Sequence, residues 1–566
     1  MKDNSSDLPD WIESLVAMRG KRGRRWITRK LALLNKISAT PLTSAKVVRS
    51  YHDLLMFLVA FPDDATLHRL AKSELKRIAA TIRQARSAGR RLVGSLADTG
   101  IAETDVAYVY TLPIARWLSK TFGADVELTW DDESVENTLE ELGHIFLPQV
   151  EQSSLLTNSM STRELFELSK GAEEQTVLAW ILDRYEINSG SREEFFDLMD
   201  LRLQWRLSSK LASRTLNRFP RRKLSFGESR ANRAMNFREL LEARVARPKK
   251  LTAKEANHLI DVARSTLSVR HRETEAVTYP NAHEVDLFQL QDGIDVAIFG
   301  MQPERRLSID SFFGFIAAKN GVPVAYGGSF VYLHRLDIGL NIFHEYRGGE
   351  SAYLFTQILR TFVQHYASTQ IIIDSAQFGY GRVGGIQSGA FWFYYKMGFR
   401  PADSGLVQLA EEEWSKIAAE PGYRSPSATL RRFTASNLVL NLDDKLSEPV
   451  PDMADISLAV TRHAAMHYNG DRMAQAEWAE RRVRRLLKVS DIRSWPRNER
   501  QSFLQLCPLI ALVPDLASWS DRQKNALIAL MRAKGGPQER RFALMLQRHR
   551  KLTRALAALT NYTGLA

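Results

Sequence analysis

Over residues 1 to about 250, apolar positions recur at three- and four-residue spacing, the period of helices with one buried face. Ala45–Phe61 has this spacing and stops at Pro62, which two aspartates follow, so a helix ends there. Asp64 or Thr66 is placed to cap the next helix, whose apolar positions include Leu67, Leu70, Leu75 and Ile78. Further amphipathic stretches cover Ser134–Leu147, Thr162–Leu168, Glu173–Tyr185 and Arg192–Leu207. They share no fixed period, so residues 1–215 read as a helical domain and not as a repeat array. Trp117, Trp130, Trp180 and Trp205 read as core residues of that domain. Residues 216–251 lose the periodicity, contain FPRRKLSFGESR, and read as a basic linker or extended arm. Thr252 followed by Glu255 forms a capping-box pattern that opens a helix to about Leu267.

From Val285 the period becomes two. VDLFQL and IDVAIFGM read as strands joined at Asp292-Gly293, and FFGFIAA and VPVAYGGSFVYL as strands joined at Asn320-Gly321, a type I′ turn signal. LDIGLNIF continues the strands. A helix Ser351–Tyr366 follows, then the strand QIIID at 370–374, a glycine-rich loop, a short helix Gly389–Lys396 and a last strand near Leu406–Leu409. Beyond Tyr423 the helical period returns in Ile456–Tyr468, Met473–Leu487, Asn498–Leu506, Ser520–Ala533 and Glu539–Ala558. Trp495-Pro496, Pro508 and Lys534-Gly535-Gly536-Pro537 break it. The chain thus divides into 1–215, an arm at 216–251, a strand-rich unit at 252–425 and a helical unit at 426–566.

Length fits this division, since 566 residues exceed one ordinary core. Hydrophobic content of 44% and charged content of 25% are those of a globular protein. The apolar runs Leu54–Phe61 and Leu506–Val513 are too short to span a bilayer, so no membrane span is expected. The first residues carry no apolar stretch of the secretory kind, and the single cysteine, Cys507, suits the cytoplasm. The formal net charge of +13 gathers in Arg19–Lys30 and Arg214–Lys250. Aromatic interleaving is sparse there, so solvated faces, or docking on the acidic segment Asp125–Glu141, are favoured over nucleic acid as partner.

Two features carry chemistry. At Tyr346-Arg347-Gly348-Gly349-Glu350-Ser351-Ala352 a strand turns into a helix. Such a corner presents backbone N–H groups at the positive end of a helix dipole, a seat for phosphate. Glycines there allow close approach and Ser351 is placed to cap. Glu350 opposes an anion at that seat, but also suits the helix dipole. The second feature is Phe393-Tyr394-Tyr395-Lys396-Met397-Gly398-Phe399.

Together these residues resemble the GNAT acyltransferase superfamily, over about residues 252–420. RGGESA at 347–352 matches the Arg and the final small residue of that family's R/Q-x-x-G-x-G/A loop, with Glu350 where the family has its first glycine. Residues 393–399 match its F-Y-x-K-x-G-F helix end. The resemblance implies an α+β chain: a central GNAT-like mixed, mostly antiparallel sheet with helices, flanked by N- and C-terminal all-α domains. It implies an N-acyltransferase that moves an acyl group, usually acetyl, from acetyl-CoA or another acyl-CoA to an amine whose identity the sequence does not give. Arg347, Gly348, Gly349, Ser351 and Ala352 would seat the donor's pyrophosphate, and Arg382 would reach a phosphate. A strand N–H at Ile342 or Phe343 would polarise the carbonyl, Tyr394 would protonate the thiolate and Glu345 would serve as base. Glu350 leaves two other readings open: a non-catalytic scaffold whose helical arms bind a macromolecule, or a transferase using aminoacyl-tRNA or acyl-carrier donors.

Gly379-Tyr380-Gly381-Arg382-Val383-Gly384 also spells a dinucleotide fingerprint, but the helix after it is short and the strands before it are hairpins, so loop shaping is the favoured reading. His463 and His467 lack a carboxylate between them and a third ligand, so no metal is expected.

Overall fold

A computed structural model describes residues 7–560, apart from 131–132, 149, 151–159, 172–174, 188–191, 222, 228–235, 349, 444–449 and 451–452. The architecture is α+β, with a large mixed sheet, a small second sheet and many helices.

The first four helices (Leu8–Met18, Arg24–Ser38, Ala45–Ala60 and Ala65–Ser87) follow the sequence period, and Asp64 caps the fourth by accepting from the Leu67 N–H at 2.7 Å. They share one continuous core with the large sheet. The next part corrects the all-helical expectation for residues 1–215. Strands β1 (Asp105–Val109), β2 (Val126–Leu128) and β3 (Arg202–Arg206) form an antiparallel sheet in the order β1-β3-β2. The helix expected over Arg192–Leu207 ends at Leu198. Beyond it Leu201, Leu203, Trp205 and Leu207 are buried at every second position, the signature of a strand with one covered face. This unit has its own core, in which Trp117, Trp180 and Trp205 are buried and Trp130 packs at the edge.

The large sheet contains β4 (Pro280–Gln289), β5 (Ile294–Met301), β6 (Ser311–Lys319), β7 (Val322–Tyr332), β8 (Arg335–Ile342), β9 (Gln370–Ile373), β10 (Arg400–Pro401) and β11 (Leu438–Asn441). Their order is β10-β11-β9-β8-β7-β6-β5-β4, and every neighbour is antiparallel except the β8/β9 pair. Both anticipated turns form. Asp292 and Gly293 take φ of 53° and 74°, in a connection from Leu290 to Gly293, and Asn320 and Gly321 take 50° and 79°, the left-handed values that a two-residue hairpin demands. The two turns lie side by side, with the Asn320 N–H donating to the Gly293 carbonyl at 2.7 Å. The strand expected near Leu406–Leu409 lies instead inside a helix, Ser404–Ala419, capped by Asp403. The missing sheet position is taken by β11, further along the chain.

The described residues of 216–251 form an arm laid on the sheet. The Phe219 N–H donates to the Gly321 carbonyl at 2.8 Å, Arg221 pairs with Asp295, and the Lys249 N–H donates to Leu287 at 2.8 Å. Asn320 fastens the arm's middle: its side chain accepts from the Ser225 N–H and donates to the carbonyls of Ser225 and Ala60.

The C-terminal helices have a third core, to which Ile309, Tyr332 and Leu333 of the central unit contribute. The Lys534–Pro537 break is their docking loop: Arg306 donates to the carbonyls of Lys534 and Gly536, and Asn281 to that of Pro537. Beneath it lies a buried group of Glu284, Arg306, Lys534 and Glu539. Burial pushes the Glu284 carboxyl up to about 7, although Arg306 opposes the shift. The stretch Glu539–Ala558 is two helices that meet at His549. Cys507 is buried, its thiol pushed up to about 12 by desolvation. Among the described residues, no helix is long and apolar enough to cross a membrane.

Candidate functional site

β8 and β9 pair in parallel over only three residues, Arg335–Asp337 with Gln370–Ile372. β9 then ends at Ile373 while β8 runs on to Ile342, so the strands part. On its other side β8 stays bonded to β7, and the Phe343 N–H is spent on the Val324 carbonyl at 3.0 Å. Alternation turns the N–H groups of Leu340 and Ile342 toward the opening. That of Leu340 donates to the Gln377 side-chain oxygen at 3.1 Å. Of the two residues expected to polarise a carbonyl, Ile342 therefore faces the opening and Phe343 does not.

The chain then turns the corner into the helix Ser351–Tyr366, the corner helix. Arg347 donates from Nε back to the Ile342 carbonyl at 3.1 Å, and its own carbonyl accepts from Arg19 at 3.0 Å. Gly348 has φ of 150°, a value that side chains resist, in open surroundings. Gly349 lies outside the described residues. Ser351 ties the corner shut: its Oγ accepts from the Gly348 N–H at 3.2 Å and its N–H donates to the Gly348 carbonyl at 3.0 Å. Ser351 is thus the first helical residue, and Glu350 occupies the cap position with no side-chain cap bond.

Against the first turns of the corner helix lies a cavity of about 650 Å³. Ala352, Tyr353 and Thr356 form one wall, and Trp392, Phe393 and Met397, at the aromatic helix Ala390–Tyr395 and just beyond it, form the facing wall. Phe226 and Phe237 of the arm, with Phe61 and Pro62 from the end of the third helix and just beyond it, also line it. The paired hairpin turns bring Asp292 and Lys319 to its edge.

Arg22, Lys319, Glu350 and Asp292 at this cavity are each engaged by a partner, while Lys396, which also lines it, has its ammonium 5.8 Å over the Trp414 ring. Glu350 Oε1 lies 2.9 Å from Arg22 Nη2, and its Oε2 lies 3.2 Å from Lys319 Nζ. Lys319 is almost fully buried, and desolvation lowers its ammonium pKa while Glu350 opposes that shift. Asp292 accepts from the Tyr353 hydroxyl at 2.7 Å. Glu350 therefore neither repels everything at the helix end nor simply answers the helix dipole; it is a counter-ion for two cations that come from elsewhere in the chain.

Glu345 sits in a different environment. It is 4% exposed and accepts from Arg214 at 2.9 Å and from Arg270 at 3.0 Å, while Arg214 also holds Asp53. Burial alone would raise the Glu345 carboxyl, but the two guanidinium groups overcome it and hold it well below the usual carboxylate range. A carboxylate so held is a poor proton acceptor, and these partners argue against the base role expected of it.

Tyr394 is turned into the core, edge-on to Phe355, Phe393 and Phe399 at ring distances of 5.6, 5.2 and 6.0 Å. Its neighbours Trp392 and Phe393 line the cavity instead. Desolvation raises the Tyr394 hydroxyl pKa, which makes the phenol a weaker proton donor, and its place in the core sets it off the cavity wall; both argue against the acid role expected of it. Arg382 is exposed and precedes the five-residue helix Val383–Gln387, off the cavity wall. The glycines around it fold a tight loop: a Cβ on Gly385 would lie 2.7 Å from the Gly379 nitrogen.

Sequence reasoning placed the corner and the aromatic helix but missed Arg22, Lys319, Phe61 and the arm residues at the cavity. The basic run containing Arg22 was visible as charge; nothing local showed that it faces inward. Among the described residues, no group of three or more His, Cys, Asp or Glu is placed to hold a metal ion. Neither protein-family models, nor curated proteins, nor solved structures give a significant match to this chain.

Proposed function

We propose that this protein is an N-acyltransferase that takes its acyl group from a thioester of the coenzyme A type. The observation that carries the reading is the parting of β8 and β9, followed by a corner helix whose first turns line a cavity, although no residue of either strand lines it. A slender thioester arm fits between strands that have separated, and its N–H-lined edge offers Ile342 to a carbonyl oxygen. The phosphate-bearing end then lies toward Arg22, Lys319 and the corner helix, with aromatic walls for the base. Residues Gly348, Ser351 and Ala352 shape that end, while Arg347 acts by fixing the corner to Ile342.

The reaction forms a C–N bond to the entering amine and breaks the C–S bond. The amine loses one proton to water, since Glu345 is committed elsewhere, and the thiolate gains one from water, since the Tyr394 phenol is turned into the core. Isothermal titration with CoA and acetyl-CoA tests the proposal. We expect saturable binding by the wild type, and loss of binding when Ser388, exposed at the cavity wall, becomes Trp. Thiol release with an amine panel should then accompany binding and persist in Tyr394→Phe, whose phenol lies off the cavity.

One observation favours a second reading, a non-catalytic scaffold. Glu350 occupies the cations that a phosphate would need, and Gln377 occupies the Leu340 N–H. In that case CoA and acetyl-CoA give no heat of binding at any concentration tested.

A further inference from the structure

We propose that the cavity selects ligands ending in a phosphate monoester or diphosphate, and that Glu350 holds the Arg22–Lys319 pair until such a group displaces it. This rests on the thioester-donor reading and adds what the site demands of the donor's far end.

Both cations are aimed at this point by built structure. Lys319 is the last residue of β6, and the Asn320-Gly321 turn that fixes it is bonded to the arm and to Ala60. Arg22 lies in the loop between the first two helices. Lys30 pins that loop, donating to the carbonyls of Arg19 at 3.0 Å and Lys21 at 2.8 Å while pairing with Asp63 at 2.6 Å. Arg22 spends one Nη on Glu350; its buried Nε makes no hydrogen bond, with Asp63 Oδ1 3.6 Å away. The site thus has two positive charges bridged by one carboxylate, with the Arg22 Nε turned toward Asp63 and Lys396 as a further cation on the cavity wall. A buried ammonium needs an anion at all times, which explains why the empty site supplies its own.

The partial exposure of Glu350, at 24%, decides what can replace it. Its side chain stands before the first helical turn, with solvent on one side into which it can swing. Being tethered, it acts at an effective concentration in the millimolar range or above, so a free monoanion gains nothing by exchange. A phosphate group carries a greater charge and more acceptor oxygens, and the positive end of the corner helix adds to its attraction. Asp292 is the remaining carboxylate at the wall, and Tyr353 occupies it. The apolar faces of Phe61, Phe226, Trp392 and Phe393 suit a planar base or chain attached to the phosphates.

The test is calorimetry at fixed ionic strength with three probes: CoA, pantetheine without phosphates, and inorganic pyrophosphate. Wild type, Glu350→Gln and Lys319→Ala are compared, with thermal melting to show that each is folded. We expect Glu350→Gln to tighten CoA and pyrophosphate about tenfold, the scale of about 1.4 kcal/mol, and to leave pantetheine unchanged. Lys319→Ala should weaken CoA and pyrophosphate only. Unchanged or weaker CoA and pyrophosphate binding in Glu350→Gln overturns the exchange while leaving the donor reading intact. Tighter pyrophosphate with no CoA binding upholds the anion seat and sinks the donor reading. No binding of either probe to any variant sinks both.

Discussion

Glu345 and Glu350 stand on opposite sides of one corner, and each faces two cations supplied by distant parts of the chain. Glu345 meets Arg214, which precedes the arm, and Arg270, from just beyond the helix Ala253–Ser268. Glu350 meets Arg22 and Lys319. The first cluster is sealed under the corner: Arg270 lies 3.9 Å over the Phe343 ring, and Arg214 also binds Asp53 and the Thr99 carbonyl. The second opens on the cavity. Removing water from a charge makes its partner obligatory, whereas a charge beside an opening keeps the option of exchange. The same residue type thus serves as a structural anchor on one side of the corner and as a replaceable counter-ion on the other.

The largest expected effect breaks the first half of that comparison. Glu345→Gln leaves Arg214 and Arg270 buried with too little negative charge, and should cost about 3–5 kcal/mol in denaturant unfolding. A cost below about 1 kcal/mol would mean that the cluster is as exchangeable as its neighbour. Next comes Ser388→Trp, which fills the cavity edge without touching either cluster; CoA affinity should fall at least tenfold, about 1.4 kcal/mol, with the melting temperature unchanged. Last is the stability of Glu350→Gln. Lys319 and Arg22 are as buried as Arg214 and Arg270. Glu350 is 24% exposed, however, and water can enter where it stood, so the cost should be smaller than that of Glu345→Gln even as ligand affinity rises.

Acidity sharpens the contrast further, because buried carboxylates beside arginines need not shift alike. Glu345 is depressed in the fold, so its contribution is present above the unfolded carboxylate range and is lost as pH falls through its lower folded value. The stability gap between wild type and Glu345→Gln should be flat from pH 5 to 8 and close below it. Glu284, under the C-terminal docking loop, is raised to about 7. Its contribution is full below the unfolded value near 4.5 and is lost as pH rises through about 7. Melting curves from pH 5 to 8 should therefore show a decline that Glu284→Gln removes. An identical decline in that variant would place its cause elsewhere.

Local chemistry was legible wherever it acts over a few residues. The Asp292-Gly293 and Asn320-Gly321 turns, the Thr252–Glu255 capping box and the helix cap at Asp64 all formed as their residues dictate. The period-two run Leu201–Leu207 was equally available but stood in a helical neighbourhood, where four alternating apolar positions are easily absorbed into a helix pattern. Nothing local in residues 216–251 decides between linker and extended arm. Their bonds to Gly321, Asn320 and Asp295 decide for extension, and none has a local signature.

The sequence by itself determined where the chain turns, where its strands alternate and where a glycine corner leads into a helix, since these follow from backbone sterics and nearest-neighbour burial. It also marked Glu350 as out of place there. Only the tertiary structure decided what Glu350 does, because its partner Arg22 lies 328 residues away and Lys319 belongs to a different strand. Charge pairing depends on which surfaces meet after the core closes, and no local period encodes that meeting.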